Sequence, residues 1–143
     1  MADCALLADR LYAVHCRPQE WDECRAAVQL TLRWHPLAED EGAVAERQAV
    51  LVVLSAHAAL PEGHPLRAAH PQGLEVLRCG WEAVLACAPP RSAAQLALPE
   101  EILAVLVQRA AALVNELAQR AGLAPLLDAA TIRALLASHA GPA

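Results

Sequence analysis

Glu20-Trp21-Asp22-Glu23-Cys24-Arg25-Ala26-Ala27-Val28-Gln29-Leu30-Thr31-Leu32-Arg33-Trp34-His35-Pro36 is the stretch from which the fold is read. Asp22 and Glu23 fall where a first helical turn would begin, and carboxylates there interact favourably with the positive end of the helix dipole. Pro36 would close the far end. Trp21, Cys24, Val28, Thr31 and Leu32 recur at spacings of three and four, so on a helix they share one stripe, while Glu23, Arg25, Gln29 and Arg33 lie mostly elsewhere. The pattern predicts an amphipathic helix over residues 19–34 with a packing face.

Composition points the same way. The chain has 143 residues, enough for one domain with a sizeable core. It is 57% hydrophobic and 19% charged, which fits a folded globular protein. Aromatic residues make up only 3%, with no Phe. Alanine and leucine dominate, and they favour helices over sheets, which draw on β-branched and aromatic residues. The expected fold class is all-α: about six helices in antiparallel hairpins around a central apolar helix.

Read outward from the opening stretch, the first helix covers residues 3–16, with Leu6, Leu7, Leu11 and Val14 inward and Pro18 as its stop. Glu39-Asp40-Glu41-Gly42 reads as a solvated loop. A third helix over 43–60 contains Ala49-Val50-Leu51-Val52-Val53-Leu54, apolar on every side, and would sit at the centre. Residues 61–72 hold three prolines and read as a structured loop. A fourth helix over 73–87 would bury Leu74, Leu77, Trp81, Val84 and Leu85. Pro99-Glu100-Glu101 opens a fifth, running to about residue 121 with Gly122 as its C-cap. A sixth covers 128–138, and Gly141-Pro142 would leave a frayed tail. The expected organisation is a single helical domain over 1–143, with stretched repeats at 3–36 and 43–89 and a C-terminal hairpin at 99–139.

Trp21-Asp22-Glu23-Cys24, then Val28, Thr31 and Pro36, resemble the second helix of a tetratricopeptide repeat: small, bulky and small residues, then a terminal Pro. At the first-helix positions Leu11 agrees, whereas Ala8, Tyr12 and His15 depart. Leu77, Trp81, Val84 and Pro89 repeat the spacing of Cys24, Val28, Thr31 and Pro36. The resemblance implies a non-enzymatic protein-binding module whose groove holds a helical or extended segment of a partner, similar to the tetratricopeptide-like chaperones of type III secretion. A second resemblance is to Bcl-2-like regulators, through Leu6-Leu7-Ala8-Asp9 and Gly80-Trp81-Glu82-Ala83. It lacks that family's ligand-pairing Arg, and Pro89-Pro90 would interrupt its central helix.

Charge and cysteine usage bound the partners. The formal net charge is −5, all eleven basic residues are Arg, and they form no cluster in the sequence. Phosphate backbones need a basic face, so no nucleic-acid partner is expected. No apolar run approaches the roughly 20 residues of a bilayer span, and no secretory leader is recognisable. With five cysteines and no Cys-x-x-Cys pair, reduced thiols in a cytoplasmic setting are expected.

Candidate chemistry is sparse. A metal or redox role would draw on Cys16, Cys24 and His35, or on Glu62, His64 and His70, none at zinc-finger spacing. Ser55 and His57 would be separated on a helix, and neither a Gly-x-Ser-x-Gly elbow nor a phosphate-cradling glycine loop occurs. No enzyme activity, cofactor or bound metal is expected. The expected partner contacts are Trp34, one step off the buried stripe and so partly exposed, with His15, Tyr12 and Trp81; a homodimer or heterodimer would also suit such a surface.

Overall fold

Val28, Leu30, Leu32 and Trp34 alternate with Gln29, Thr31, Arg33 and His35, and the backbone follows this period of two rather than the spacing of three and four. The computed structural model describes residues 3–138. Strand β1 (Asp3–Cys16) leads through a six-residue helix α1 (Pro18–Glu23) and a one-turn 3-10 segment to β2 (Val28–Pro36). Strands β3 (Ala45–Ala58) and β4 (Leu74–Arg91) follow, then helices α2 (Glu100–Arg120) and α3 (Ala129–Ser138). The four strands form one antiparallel sheet in the order β1-β4-β3-β2.

The all-α expectation is therefore overturned: the chain is α+β, and the residues expected to form the first four helices are mostly strand. Neither a tetratricopeptide-like stack nor a Bcl-2-like bundle survives, because 3–36 and 43–89 are not helical repeats but the strands of a single sheet. Helices occupy the C-terminal hairpin as far as Ser138; residue 139 and the tail expected at Gly141-Pro142 lie outside the described residues.

Alternation explains the layers. On β3, Gln48, Val50, Val52, Leu54, Ala56 and Ala58 are buried, while the residues between them, from Ala49 to His57, are only half-covered. Leu77, Cys79, Ala83 and Leu85 of β4 join the buried set, with Leu32 and Trp34 of β2. Leu103, Leu106, Val107, Ala110 and Val114 of α2 complete the core from above, with Leu127, Ile132 and Leu135 from the α3 side. Each such leucine, isoleucine or valine taken from water contributes roughly 1.5–3 kcal/mol. Among the described residues the other face of the sheet carries no helix.

β1 and β2 stand at opposite edges, so the link between them must pass across one end of the sheet. α1 makes that passage and buries Trp21 under it. β1 pairs with β4 through two irregularities, one between Leu6 and Ala8 and one between Leu11 and Ala13, leaving Leu7 and Tyr12 as extra residues. Such bulges bend the strand and interrupt its edge.

Candidate functional site on the open face of the sheet

Register places one polar row straight across the helix-free face: Thr31 opposite Ser55, Ser55 opposite Arg78, Arg78 opposite His15. Directly opposed residues share a face, and Leu32, Leu54, Ala56, Leu77 and Cys79, which flank three of these four, are buried on the other. One row toward the end of the sheet come Gln29, His57 and Glu75, and on the other side Arg33, Val53 and Gly80. A further row holds His35, Leu51, Glu82 and Arg10.

Two adjoining hollows sit over these rows, of about 480 Å³ and about 420 Å³. They share His57, Gln72 and Glu75, so together they make a trough. Its outer wall is the loop after β3, which supplies His70, Pro71 and Gln72 and is tied by its own hydrogen bonds, such as His70 N–H to the Leu66 carbonyl at 3.0 Å. Glu75 bridges Arg78 at 2.8 Å and His57 at 3.7 Å. Arg17 Nε donates to His15 Nε2 at 3.3 Å, and Arg10 pairs with Glu82 at 3.1 Å. Among the described residues Arg33 forms no ion pair. In a chain of net charge −5, this face and its rim thus gather Arg10, Arg17, Arg33 and Arg78 against Glu75 and Glu82, with His15, His35 and His57 among them.

Beside the trough lies an apolar shelf. Tyr12, 65% exposed, lays its ring over Gly80, where a Cβ would meet Tyr12 Cδ1 and Leu51 Cδ1, each at 3.7 Å. Leu7, the other bulged residue, is 50% exposed. An aromatic side chain over a strand glycine covers backbone that would otherwise be bare.

Of the expected partner contacts, the open face receives His15 and Tyr12. Trp34 is 2% exposed and belongs to the core, correcting the expectation of partial exposure: on a strand it falls in phase with Val28, Leu30 and Leu32. Trp81 lies on the helix side, half-buried, and donates from Nε1 to Asp9 Oδ1 at 2.9 Å. Asp9 also pairs with Arg109 of α2. Burial by itself would raise the Asp9 pKa, but the hydrogen bonds from Arg109 and Trp81 and the Arg109 charge outweigh it and hold the carboxyl below its ordinary range.

Cys16, Cys24 and His35 do not converge, since His35 is on the open face and Cys16 faces Leu77 on the other. Among the described residues no three His, Cys, Asp or Glu side chains are grouped as a metal site would need. Ser55 and His57 share the open face rather than being separated, yet residues two apart on a strand stand about 7 Å apart and no hydrogen bond joins them. Arg33, His57, Glu75 and Arg78 were missed as site residues. The signal that finds Arg33 is the polar half of the alternation, Gln29-x-Thr31-x-Arg33-x-His35, which marks a solvated sheet face; His57, Glu75 and Arg78 join it only through register.

No family model matches the chain, and no curated protein does. Among solved structures it is similar to the crystal structure of a protein of unknown function from Streptococcus agalactiae, at 15% identity over 85% of this chain and 91% of that one, with a TM-score of 0.39. Among the described residues no helix is long and apolar enough to cross a membrane.

Proposed function

We propose that the chain is a non-enzymatic protein-binding module that holds an acidic amphipathic segment of a partner protein, helical or extended, against the open face of its sheet. The observation that supports this reading is the pairing, on one helix-free face, of a cationic trough with the apolar shelf of Leu7, Tyr12, Leu51 and Val53. Acidic side chains of the partner meet Arg33 and Arg78, and its apolar side chains cover the shelf. Charge complementarity of this kind favours encounter and register more than raw affinity, and salt weakens it. The bulges at Leu7 and Tyr12 interrupt the free edge of β1, which favours docking on the face over strand addition at that edge. The setting we infer is cytoplasmic, where free thiols are the resting state.

The test is fluorescence anisotropy with labelled peptides of equal hydrophobicity whose polar faces are acidic, neutral or basic, and with a single-stranded oligonucleotide. The acidic peptide should bind best, lose affinity between low and physiological salt, and bind on the order of tenfold more weakly to Arg33→Glu or Tyr12→Ala. Equal binding of the basic peptide would refute the reading, as would an oligonucleotide that binds more tightly than any peptide.

A further inference from the structure

Cys4 and Cys87 are directly opposed across the β1–β4 pair, and their sulfurs are 4.0 Å apart. Opposed residues in an antiparallel pair have Cα atoms about 4.5–5.5 Å apart, within the roughly 4.4–6.8 Å range of bridged cysteines. Turning the two side chains is therefore enough to bring the sulfurs to bonding distance. Cys4 is partly exposed and Cys87 is buried. Arg91, four residues on, has a buried Nη2 with no hydrogen-bond partner among the described residues. Burial first, then Cys4, push the Cys87 thiol up, and the Arg91 charge works in the opposite direction, toward the thiolate. A hollow of about 430 Å³ lined by Leu7, Arg47, Cys87 and Pro90 opens at this end of the sheet, with Cys4 outside its lining.

The other thiols differ. Cys16 faces Leu77 and Cys79 faces Val14, so these two cysteines are offset along their strands. Cys79 is buried, with its thiol pushed up to about 11 by burial and then by Cys16.

We propose that Cys4 and Cys87 form a redox modification site, a cross-strand dithiol that a low-molecular-weight disulfide oxidises to a Cys4–Cys87 bridge fastening the start of β1 to β4. The accessible Cys4, as thiolate, attacks one sulfur of the oxidant; a Cys4 mixed disulfide forms and one thiolate leaves. Cys87 then gives its proton to water, attacks the Cys4 sulfur and expels the second thiolate. Two protein thiols are oxidised and one small disulfide is reduced to two thiols. An excess of dithiol reverses both steps.

The experiment uses the full chain incubated with oxidised glutathione. Titratable thiols should fall from five to three, and non-reducing peptide mapping should give one linked pair carrying Cys4 and Cys87. The bridge closes a long loop, since the two positions are 83 apart, so the thermal midpoint should rise by roughly 10 °C over the reduced protein. Cys4→Ser should abolish both changes, and Cys87→Ala should stop at a glutathione adduct on Cys4. A wild-type protein that keeps five thiols, stalls as the Cys4 adduct, or links Cys16 to Cys79 instead would overturn the proposal.

Discussion

Asp9 joins three elements with one side chain, sitting on β1, accepting from Trp81 of β4 and pairing with Arg109 of α2. Asp9→Ala leaves the indole N–H and the guanidinium without their acceptor, and should destabilise by about 2–3 kcal/mol in urea unfolding. Asp9→Asn keeps the Trp81 acceptor and should lose about half as much. The pH dependence has a definite sign. Because the folded carboxyl titrates below its ordinary range, its contribution is complete above the ordinary carboxylate pKa of about 4 and is lost as pH falls through the lower, folded value. The stability gap between wild type and Asp9→Asn should therefore be flat from neutral pH down to about pH 5 and shrink in stronger acid. Gly73 is fixed by a different constraint. Its φ is +101°, and a Cβ there would lie 2.5 Å from the Ala58 carbonyl oxygen, in backbone that cannot give way cheaply. Gly73→Ala should cost about 2–3 kcal/mol at the turn into β4, read by the same unfolding curves.

The elements were unevenly legible in the sequence. α2 and α3 could be read because Pro99-Glu100-Glu101 opens the first, Gly122 at φ +77° follows its end, and Asp128 caps the second through the Thr131 N–H at 2.7 Å. β2 was legible too, as a clean alternation from Val28 to His35, but the spacing of Trp21, Cys24, Val28 and Thr31 competed with it. Those four residues belong to a short helix, a turn and both faces of a strand. β3 misleads for a physical reason: Ala49, Leu51 and Val53 on the open face are as apolar as Val50, Val52 and Leu54 beneath, and such a run has no period to read. Three valines within Val50-Leu51-Val52-Val53-Leu54 were the β-branched clue. On β1 each bulge shifts the alternation by one residue, so the strand looks apolar all round. Between α2 and α3 the decisive residue is Asn115, whose amide accepts from Leu127 N–H at 2.9 Å and donates to its carbonyl at 2.8 Å. Asn115→Leu strips both partners from buried Leu127. It should loosen α3 and cost about 2 kcal/mol, visible as faster amide exchange confined to residues 123–138.

At the scale of the molecule, among the described residues one sheet carries helices on one side only, and charged side chains are set into the uncovered side. The candidate site is legible only in part: the sequence points to His15 and Tyr12, but Arg33 and Arg78 come together only through a register no linear reading supplies. Arg33 borders Val53 and Arg78 borders Ser55, so they interrupt an apolar surface that continues through Leu51 to Tyr12. Replacing both, as Arg33→Val with Arg78→Val, should merge the surface into a patch large enough for self-association. Light scattering should then report dimers or larger species, whereas the wild type at the same concentration should not enlarge to that extent.

The order of strands has a further consequence for biosynthesis. Cys16 lies opposite Leu77, and Asp3 opposite Ala88, so β1 is translated well before the strand it pairs with. At roughly 5–20 residues per second that delay is on the order of seconds. Throughout it Leu6 has no core to join, and β1 depends on whatever shields an unpaired strand until its mate is translated.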